Sequence, residues 1–299
     1  MRATQRTDFG ALIDIIVVTY NSSALLADCL RPFAEDSRFH LIVCDNGSND
    51  ESEEFARSFG ARTMSFPENP GFAVACNAGA LGGTSEYLLF MNPDVRASPE
   101  TVLDVARAMD EADAAIAGCR LVQQSGEIDH ACKRMVVRPL EAAKFVLLGK
   151  KQNSHYAAPQ ISEHDQGWVD AINGAFMLVR REVFQEIGGF NENFWMYMED
   201  IELSVRAASL GHRTLYYGKS TAVHLKSAVT GRARSPRLNY HFYRSAWIFY
   251  RDNQSAEDAL PVRAATWLSI YGWCLIAVGR DSARRAAGRG LPFTDNSTA

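Results

Sequence analysis

Polar side chains follow three strand-like runs of this 299-residue sequence. The three segments are Thr19-Tyr20-Asn21, Asp45-Asn46-Gly47-Ser48 and Asn92-Pro93-Asp94. In an open parallel sheet, ligands bind outside the carboxyl ends of the strands. Asn, Asp and Gly also form ordinary turns, so one such segment alone carries little weight. Three segments at the same sheet edge indicate a ligand-binding site.

Two residues suit a divalent metal ion. Asp94 follows a buried run and can coordinate Mg²⁺ or Mn²⁺ against a diphosphate, because such ions take one or two carboxylates together with phosphate oxygens. His224 ends another strand-like run, TAVHLKS. The alternatives are a turn role for Asp94 and a purely structural histidine at position 224.

Glu199 and Asp200 follow the aromatic run NFWMYM, at the start of a helix that we predict from about Glu199 to Leu210. Adjacent acids at a helix start are often caps or complements of the helix dipole. Here Trp195 and Tyr197 surround them, and an acid beside an apolar segment is a candidate general base. Burial raises the pKa of such an acid while a helix N-terminus lowers it, so the sequence leaves the balance open.

The elements that must position these residues follow from the alternation of strand-like and helical patterns over the first 120 residues. This alternation is typical of a parallel sheet covered on both faces. Predicted strands include Ile13 to Tyr20, Leu41 to Asp45 and Glu86 to Asn92. A helix begins with Ser98 as its N-cap and Pro99 in its first turn. The sequence therefore predicts an α/β fold.

From Gln123 to Asp165 the periodicity is lost and basic residues cluster. We interpret this region as a mobile or substrate-facing insertion. Its basic residues are Lys133, Arg134, Arg138, Lys144, Lys150 and Lys151.

The composition excludes several classes of protein. Lys and Arg total 31 against 35 Asp and Glu, so the net charge of -4 lacks the basic excess of nucleic-acid-binding proteins. No GxGxxG follows the first strand, which argues against a dinucleotide oxidoreductase. The six cysteines lack metal or redox spacing, and the N-terminus lacks the apolar segment of a signal peptide. We expect reduced thiols, a cytoplasmic location and no nucleic-acid partner.

The longest apolar stretch runs from Ala264 to Val278. At 1.5 Å per residue it reaches about 22 Å, short of a hydrocarbon core of roughly 30 Å, so we expect that it does not span a membrane alone. Aromatic residues within it and arginines beyond it suit an anionic membrane surface. They are Trp267, Tyr271, Trp273, Arg280, Arg284, Arg285 and Arg289. We expect peripheral contact with the inner face of the plasma membrane, with a buried helix or a homodimer contact as the alternative.

Several segments follow one another in a familiar order: VVTYN, DNGSND, NPGFAVACNAG, LLFMNPDV and the run from GAFMLVRREVF to SLGHR. Together they resemble family 2 glycosyltransferases of the GT-A fold, and within that family the bacterial rhamnosyltransferases that use dTDP-L-rhamnose. The resemblance covers roughly residues 12–226. It implies a GT-A, Rossmann-like α/β architecture with a mixed, mainly parallel sheet flanked by helices and a helical C-terminal extension.

The resemblance also implies a division of the chain. We expect a glycosyltransferase domain over residues 1–230, with a nucleotide-binding half at about 12–122 and an acceptor and catalytic half at about 123–230. Residues 231–299 would form the helical extension, which we expect to associate with the membrane.

The first two segments are implied to bind the nucleotide of the donor. Thr19, Tyr20 and Asn21 would line the base and ribose pocket. Asp45 would accept a hydrogen bond from the pyrimidine N3–H, and Asn77 would lie beside the nucleotide.

The later segments are implied to bind the metal ion and the diphosphate. Asn92-Pro93-Asp94 stands at the DXD signature of the family, with Asp94 as metal ligand and Asn92 reaching toward the ribose. His224 matches the later metal-binding histidine. Many relatives then have a Gly/Ser-rich run, whereas this chain has Leu225-Lys226-Ser227.

Asp200 matches the catalytic base of the ED motif of the family. We expect Trp195 and Glu199, which stand beside it in the sequence, to contact the acceptor.

The implied activity is inverting transfer of L-rhamnose from dTDP-L-rhamnose, with Mg²⁺ or Mn²⁺, to a hydroxyl of a glycan or a polyprenyl-diphosphate-linked sugar in cell-wall or surface-polysaccharide synthesis. The basic cluster between residues 133 and 151 would then meet the diphosphate of a lipid-linked acceptor. Two alternatives stay open: the same reaction with a different nucleotide sugar, and a nucleotide-sugar-binding membrane scaffold without turnover. Asn92 in place of an acid and the altered segment after His224 support the scaffold, whereas the intact Asp94, Asp200 and His224 speak against it.

Overall fold

A computed structural model of the chain describes residues 13–138, 155–225 and 235–286. Nine strands in this part of the chain form one mixed sheet. The strands are β1 (Ile13–Thr19), β2 (Phe39–Asp45), β3 (Arg62–Ser65), β4 (Tyr87–Met91), β5 (Val95–Arg96), β6 (Ile116–Val122), β7 (Gln166–Val169), β8 (Phe176–Arg180) and β9 (Thr214–His224). The helices are α1 (Ser23–Leu30), α2 (Ser52–Ser58), α3 (Phe72–Gly82), α4 (Pro99–Glu111), α5 (Arg181–Glu186), α6 (Glu199–Ser209), α7 (Pro236–Asn253) and α8 (Leu260–Ala286).

The strand order is β3-β2-β1-β4-β8-β6-β9-β5, and β7 pairs with β9 outside this path. Strands β1 to β4 run parallel, whereas β8 lies antiparallel between β4 and β6. The carboxyl ends of β1, β2 and β4 therefore lie at one edge of the sheet. The predicted mixed, mainly parallel sheet is confirmed.

The sequence of β1 explains its central position. Six of its seven residues are buried, and its run of Ile and Val packs against elements on both faces of the sheet. Helix α3 approaches β1 closely at Gly79, where there is no room for a side chain. A Cβ at this position would lie 2.6 Å from Ile16 Cγ2. The predicted start of α4 is also confirmed, since Ser98 Oγ accepts a hydrogen bond from Thr101 N at 3.2 Å.

The basic cluster differs from our interpretation of a substrate-facing insertion. Lys133 is buried, and its Nζ donates to three backbone carbonyls, those of Ala157, Ala158 and Ile161, at 2.7–3.1 Å. Arg134 is also buried. These two charges serve contacts inside the chain, so the interpretation is wrong for them. Arg138 is exposed and pairs with an acid on the segment after α7, whereas Lys144, Lys150 and Lys151 lie outside the described residues.

Helix α8 is longer than the apolar stretch predicted. Its 27 residues reach about 40 Å. Its most apolar 18-residue window has a mean hydropathy of 1.3, and only 17% of that window is buried. By length and composition, α8 is therefore long enough to cross a membrane, which corrects the argument from fifteen residues. Its exposure also contradicts the alternative of a buried core helix.

The six cysteines are all described, and each is buried as a free thiol, as we expected. The predicted domain boundary near residue 230 falls between β9 and α7, outside the described residues, and stays a prediction.

Candidate active site

The three polar segments meet at one edge of the sheet, where buried polar atoms lack partners. Thr19 pairs with Asp45 in the register of β1 and β2. Among the described residues, Thr19 Oγ1, Asn46 Oδ1 and Asp94 Oδ1 are buried without a hydrogen bond. A buried polar atom left unpaired costs about 1–3 kcal/mol, so such atoms are rare in folded proteins. Unpartnered acceptor atoms at this edge fit the ligand-binding site that the motifs predict.

Asp45 is oriented as a hydrogen-bond acceptor at the end of β2. Ser48 N lies 3.2 Å from Asp45 Oδ2, and Ser48 Oγ donates to Oδ1. Burial raises the pKa of Asp45, and the hydrogen bonds from Ser48 oppose that rise. An oriented carboxylate of this kind can accept a hydrogen bond from an N–H group of a nucleotide base.

Asn21 braces the loop after β1 against the loop after β2. Its backbone has a φ of 50°, its N donates to Ser48 Oγ at 2.9 Å, and its Oδ1 accepts from Asn49 N at 2.7 Å. Tyr20 beside it is half-buried. The structure thus shows that Asn21 shapes this edge, while direct contact of Tyr20 and Asn21 with a nucleotide stays a prediction.

Asn77 joins α3 to the segment before α6. Its Nδ2 donates to Phe190 O at 2.9 Å and to Glu192 Oε1 at 3.0 Å, and its Oδ1 accepts from Phe190 N at 2.8 Å. The amide is therefore occupied at both ends by the chain itself. Its place beside a nucleotide stays a prediction, and what the structure shows is a brace.

Asp94 and His224 face each other where β5 pairs with β9. His224 Nε2 lies 3.4 Å from Asp94 Oδ1, the carboxylate oxygen that lacks a hydrogen bond. Asn92, two residues earlier, is half-buried, and its N donates to Ala175 O at 3.0 Å. A carboxylate oxygen and an imidazole nitrogen so placed fit a divalent cation that takes its other ligands from phosphate and water. No cluster of three His, Cys, Asp or Glu residues in the described ranges is arranged to hold a metal ion.

Asp129 is a site residue that the sequence did not identify. It is fully buried, and its Oδ2 lies 3.0 Å from His224 Nδ1. Burial opposes the charged form of the histidine, but the hydrogen bond with Asp129 and the negative charges of Asp129 and Asp94 prevail and raise the pKa of His224 to about 9. The two carboxylates thus make this corner favourable for positive charge. Asp129 lies 95 residues from His224 in the chain, so no local motif could have marked it.

The carboxylate of Asp200, at the start of α6, accepts three hydrogen bonds. Its Oδ2 lies 2.6 Å from Arg134 Nη2 and 2.9 Å from Gly174 N, and its Oδ1 accepts from its neighbour Ile201 N at 2.8 Å. The two residues just before α6 have a positive backbone φ, 71° at Tyr197 and 70° at Met198. Positive φ at bulky residues is strained, and such strain concentrates at functional sites.

Glu199 differs sharply from its neighbour. It is buried, and its Oε2 has no hydrogen-bond partner in the described residues. Burial and the negative charge of Asp200 raise the pKa of Glu199 to about 8, while Arg134 opposes the rise. The pair therefore consists of one carboxylate paired with arginine and one acid whose protonated form is favoured by its surroundings.

Trp195 links the loop before α3 to α7. Its O accepts from Phe72 N at 2.8 Å, and a Cβ on Gly71 would lie 2.6 Å from the same oxygen. Its ring stacks on His241 of α7 with centroids 4.2 Å apart, and its Nε1 donates to Asn69 O. Trp195 is half-buried, and its contact with an acceptor stays a prediction.

A separate hollow of about 390 Å³ lies at the amino ends of the strands, away from these residues. It is bordered by Asp14, which is fully buried and contacts Arg181, Ser85 and His40. Because Asp14 is satisfied by these partners, we assign this cluster to holding the strands together.

A mixed sheet flanked by helices, with polar residues at the carboxyl ends of β1, β2 and β4, is the architecture expected of the GT-A fold. The chain belongs to glycosyl transferase family 2, whose sequence model matches residues 14–188. A second model, described as the N-terminal domain of galactosyltransferase, matches residues 160–227. The resemblance stated from the motifs is therefore confirmed.

Two curated relatives carry rhamnosyltransferase names. The N-acetylglucosaminyl-diphospho-decaprenol L-rhamnosyltransferase of Mycobacterium tuberculosis is 26% identical over 277 residues, which covers 84% of this chain and 88% of that protein. Rhamnosyltransferase WbbL of Escherichia coli is 24% identical over 223 residues, covering 71% of this chain and 83% of that protein.

Solved structures share the fold. A mannosyltransferase from Pyrobaculum calidifontis in complex with GDP-Man and Mn²⁺ superposes with a TM-score of 0.57 over 94% of this chain and 77% of that chain, at 18% sequence identity. Staphylococcus aureus TarS residues 1–349 give a TM-score of 0.53 over 94% of this chain and 83% of that chain, at 15% identity. These likenesses confirm the GT-A fold.

Proposed function

We propose that this glycosyltransferase moves L-rhamnose from dTDP-L-rhamnose to a hydroxyl of a polyprenyl-diphosphate-linked sugar, with inversion and with a divalent metal ion. The observation that carries the proposal is a set of buried, unpartnered polar atoms: Thr19 Oγ1 and Asp94 Oδ1 at the sheet edge, and Glu199 Oε2 at the start of α6. The names of the two rhamnosyltransferase relatives support the donor and the acceptor.

The donor would lie along the carboxyl ends of β1, β2 and β4. Asp45, which Ser48 orients, accepts the N3–H of the thymine base. Thr19 Oγ1 and Asn92 face the ribose side. Asp94 and His224 would hold Mg²⁺ or Mn²⁺, which supplies charge stabilisation for the departing nucleotide diphosphate. The Mn²⁺ in the mannosyltransferase structure supports a metal of this kind.

Asp200 would take the acceptor proton. The hydroxyl oxygen attacks the anomeric carbon from the face opposite the diphosphate, its proton passes to Asp200 Oδ1, and the bond from the anomeric carbon to the diphosphate oxygen breaks with its electron pair leaving on that oxygen. Asp200 Oδ2 already accepts from Arg134 and Gly174, which leaves Oδ1 as the oxygen with spare capacity. The configuration inverts because attack and departure occur on opposite faces.

Helix α8 would bring the site to the cytoplasmic membrane surface. Its large apolar side chains are exposed, among them Leu268 at 63% and Leu275 at 75%. A lipid-linked acceptor requires an enzyme that works at a membrane, so an exposed apolar helix next to the catalytic domain fits this substrate class.

A product assay tests the proposed function. The full chain in detergent is incubated with Mg²⁺ or Mn²⁺, a panel of dTDP-, UDP- and GDP-sugars, and a short prenyl diphosphate that carries N-acetylglucosamine. We expect one added rhamnose by mass spectrometry and an inverted anomeric centre by NMR. Product from another nucleotide sugar would replace the donor assignment, and donor binding without any product would favour the silent scaffold.

A further inference from the structure

Three nitrogen-bearing side chains of α7 share one face and lie over the segment that leads into α6. They are Arg237, His241 and Arg244, spaced four and three residues apart. Arg237 Cζ lies 5.1 Å from the centre of the Trp195 ring, His241 stacks on the same ring, and Arg244 Nη1 donates to Asn193 O at 2.7 Å. We call these three residues the basic face of α7.

The two arginines of the basic face lie outside ion-pair distance of the described carboxylates. Neither Arg237 nor Arg244 forms an ion pair with a described carboxylate, and the first turn of α7 contains no acid. Arg237 stands in that first turn, where the helix dipole is unfavourable for a cation. An arginine kept there against the dipole, without an acid beside it, indicates an anion from outside the chain.

The positive charges of Arg237 and Arg244 also act on His241, which lies between them on α7. Its Nδ1 is buried without a hydrogen-bond partner among the described residues. Burial lowers the pKa of His241, and the charges of Arg237 and Arg244 lower it further. The imidazole is therefore mainly neutral at pH 7, and the two arginines supply the positive charge of this face.

We propose that the basic face of α7 binds the diphosphate of the lipid-linked acceptor. Arginine guanidinium groups match phosphate oxygens in a two-pronged geometry, and stacking on Trp195 orients the one at position 237. The inference rests on the proposed function for the nature of the acceptor.

The position of α7 favours the acceptor over the donor as the source of this diphosphate. The basic face covers the segment that ends at Glu199 and Asp200, whereas the donor diphosphate belongs at Asp94 and His224 on the sheet edge. Helix α7 also packs against α8, with Asn239 Nδ2 donating to Asp281 Oδ2 at 2.6 Å. A diphosphate bound on α7 would therefore leave its prenyl chain next to the exposed apolar side chains of α8.

Two acceptors distinguish recognition of phosphate from recognition of sugar. The first is a short prenyl diphosphate carrying N-acetylglucosamine, and the second is octyl N-acetylglucosaminide, which lacks phosphate. For Arg237→Gln we expect the KM of the first acceptor to rise at least about tenfold, because charge-assisted hydrogen bonds are the strong ones. The KM of the second acceptor, the KM of the donor and kcat should stay within about twofold. Arg237→Lys should recover part of the lost affinity, because lysine keeps the positive charge but lacks the two-pronged geometry of the guanidinium group.

The control variant is Arg251→Gln, which removes an exposed arginine of the same helix that pairs with Asp252. It should behave as the parent with both acceptors. An equal rise in KM for both acceptors in Arg237→Gln would overturn the proposal, since phosphate would not be what is recognised. A rise confined to the KM of the donor would overturn it in favour of the donor diphosphate.

Binding without turnover separates this inference from the proposed function. Calorimetric titration of the parent and Arg237→Gln with the prenyl-diphosphate acceptor, without donor, needs no catalysis. Weaker binding by the variant supports the basic face even if no donor yields product, an outcome that would refute the proposed function alone. Equal binding by the two proteins overturns the inference even if transfer proceeds.

Discussion

Arg134 Nη2 lies 2.6 Å from Asp200 Oδ2, and both side chains are buried. The acid that we propose as proton acceptor therefore has a fixed cationic partner, drawn from 66 positions earlier in the chain. The same guanidinium donates to Ile172 O, so Arg134 connects Asp200 to the segment between β7 and β8. Proton transfer and the stability of the site are thus linked through one residue.

Asp200→Asn should abolish transfer while donor binding stays near the parent value, because the acid acts on the acceptor proton. Loss of a positioned base costs roughly 10²- to 10⁴-fold in rate. Initial rates and donor titrations measure the two effects separately. Asp252→Asn, which changes an exposed acid on α7, serves as control. Turnover of Asp200→Asn within tenfold of the parent would remove Asp200 from the role.

Arg134→Met should destabilise the fold, because it leaves the Asp200 carboxylate buried without its charge partner. Breaking a buried pair in this way costs about 3–5 kcal/mol. Urea unfolding of Arg134→Met, Asp200→Leu and the double variant measures the coupling between the two positions. We expect the double variant to be more stable than the sum of the single losses predicts. Strict additivity would mean that the pair contributes nothing beyond its separate side chains.

Asp94→Ala should weaken metal-dependent donor binding strongly, and His224→Ala should weaken it less. Asp129→Asn should lower Mn²⁺ affinity by about 10- to 100-fold, because outer partners orient the ligating imidazole. Calorimetric or paramagnetic titration with Mn²⁺ gives this affinity without an activity assay. Free nucleoside should bind all these variants alike. A parent rate that EDTA leaves unchanged would contradict the metal assignment.

Glu199→Gln should change how stability depends on pH. The folded pKa of about 8 lies above the ordinary value of 4.5, so the folded state binds the proton more tightly than the unfolded state. The contribution is complete below about pH 4.5 and is lost as the pH rises to about 8, at roughly 1.4 kcal/mol per pH unit. Urea unfolding at pH 5 and pH 9 should show the variant gaining on the parent at the higher pH.

The exposed Glu54→Gln is the control for this experiment, and it should keep the pH slope of the parent. Parallel pH profiles for Glu199→Gln and the parent would show that Glu199 titrates alike in the folded and unfolded states.

Leu268→Glu together with Leu275→Glu should reduce co-sedimentation with anionic vesicles, because both side chains stand on the exposed face of α8. Truncation after Asp258 should release the protein while leaving donor-nucleotide binding intact. High-salt washing separates the two membrane modes: release indicates a helix lying on the surface, and retention indicates a helix that spans. If the parent protein does not co-sediment with vesicles, the exposed face of α8 is instead assigned to a contact between subunits.

The sequence could predict the ends of β1, β2 and β4, because strand periodicity and turn residues are local signals. Thr19, Asp45 and Asp94 consequently stand where the motifs predicted them. The residues that contact His224 and Asp200 are distant in the sequence. Asp129 precedes His224 by 95 residues, and Arg134 precedes Asp200 by 66. A basic residue in an aperiodic segment reads as a surface charge, and only the packing shows that Arg134 is buried.

The length of α8 was underestimated for a related reason. The apolar stretch defined its predicted ends, but hydrogen bonding continues the helix through polar residues on both sides, from Leu260 to Ala286. Arginine and alanine are good helix formers, so loss of hydropathy after Val278 did not mean loss of helix.

The contact of Gly71 with Trp195 joins the two halves of the site backbone to backbone. Phe72 N donates to Trp195 O, and Gly71 leaves no room for a side chain between them. The loop before α3 and the segment leading into α6 are therefore tied together through their backbones. If the donor and the acceptor bind on the two sides of this contact as we propose, the substrate that binds first should restrict the motion of both segments and lower the entropy cost of binding the second. By reciprocity, each substrate should then raise the affinity for the other by the same factor.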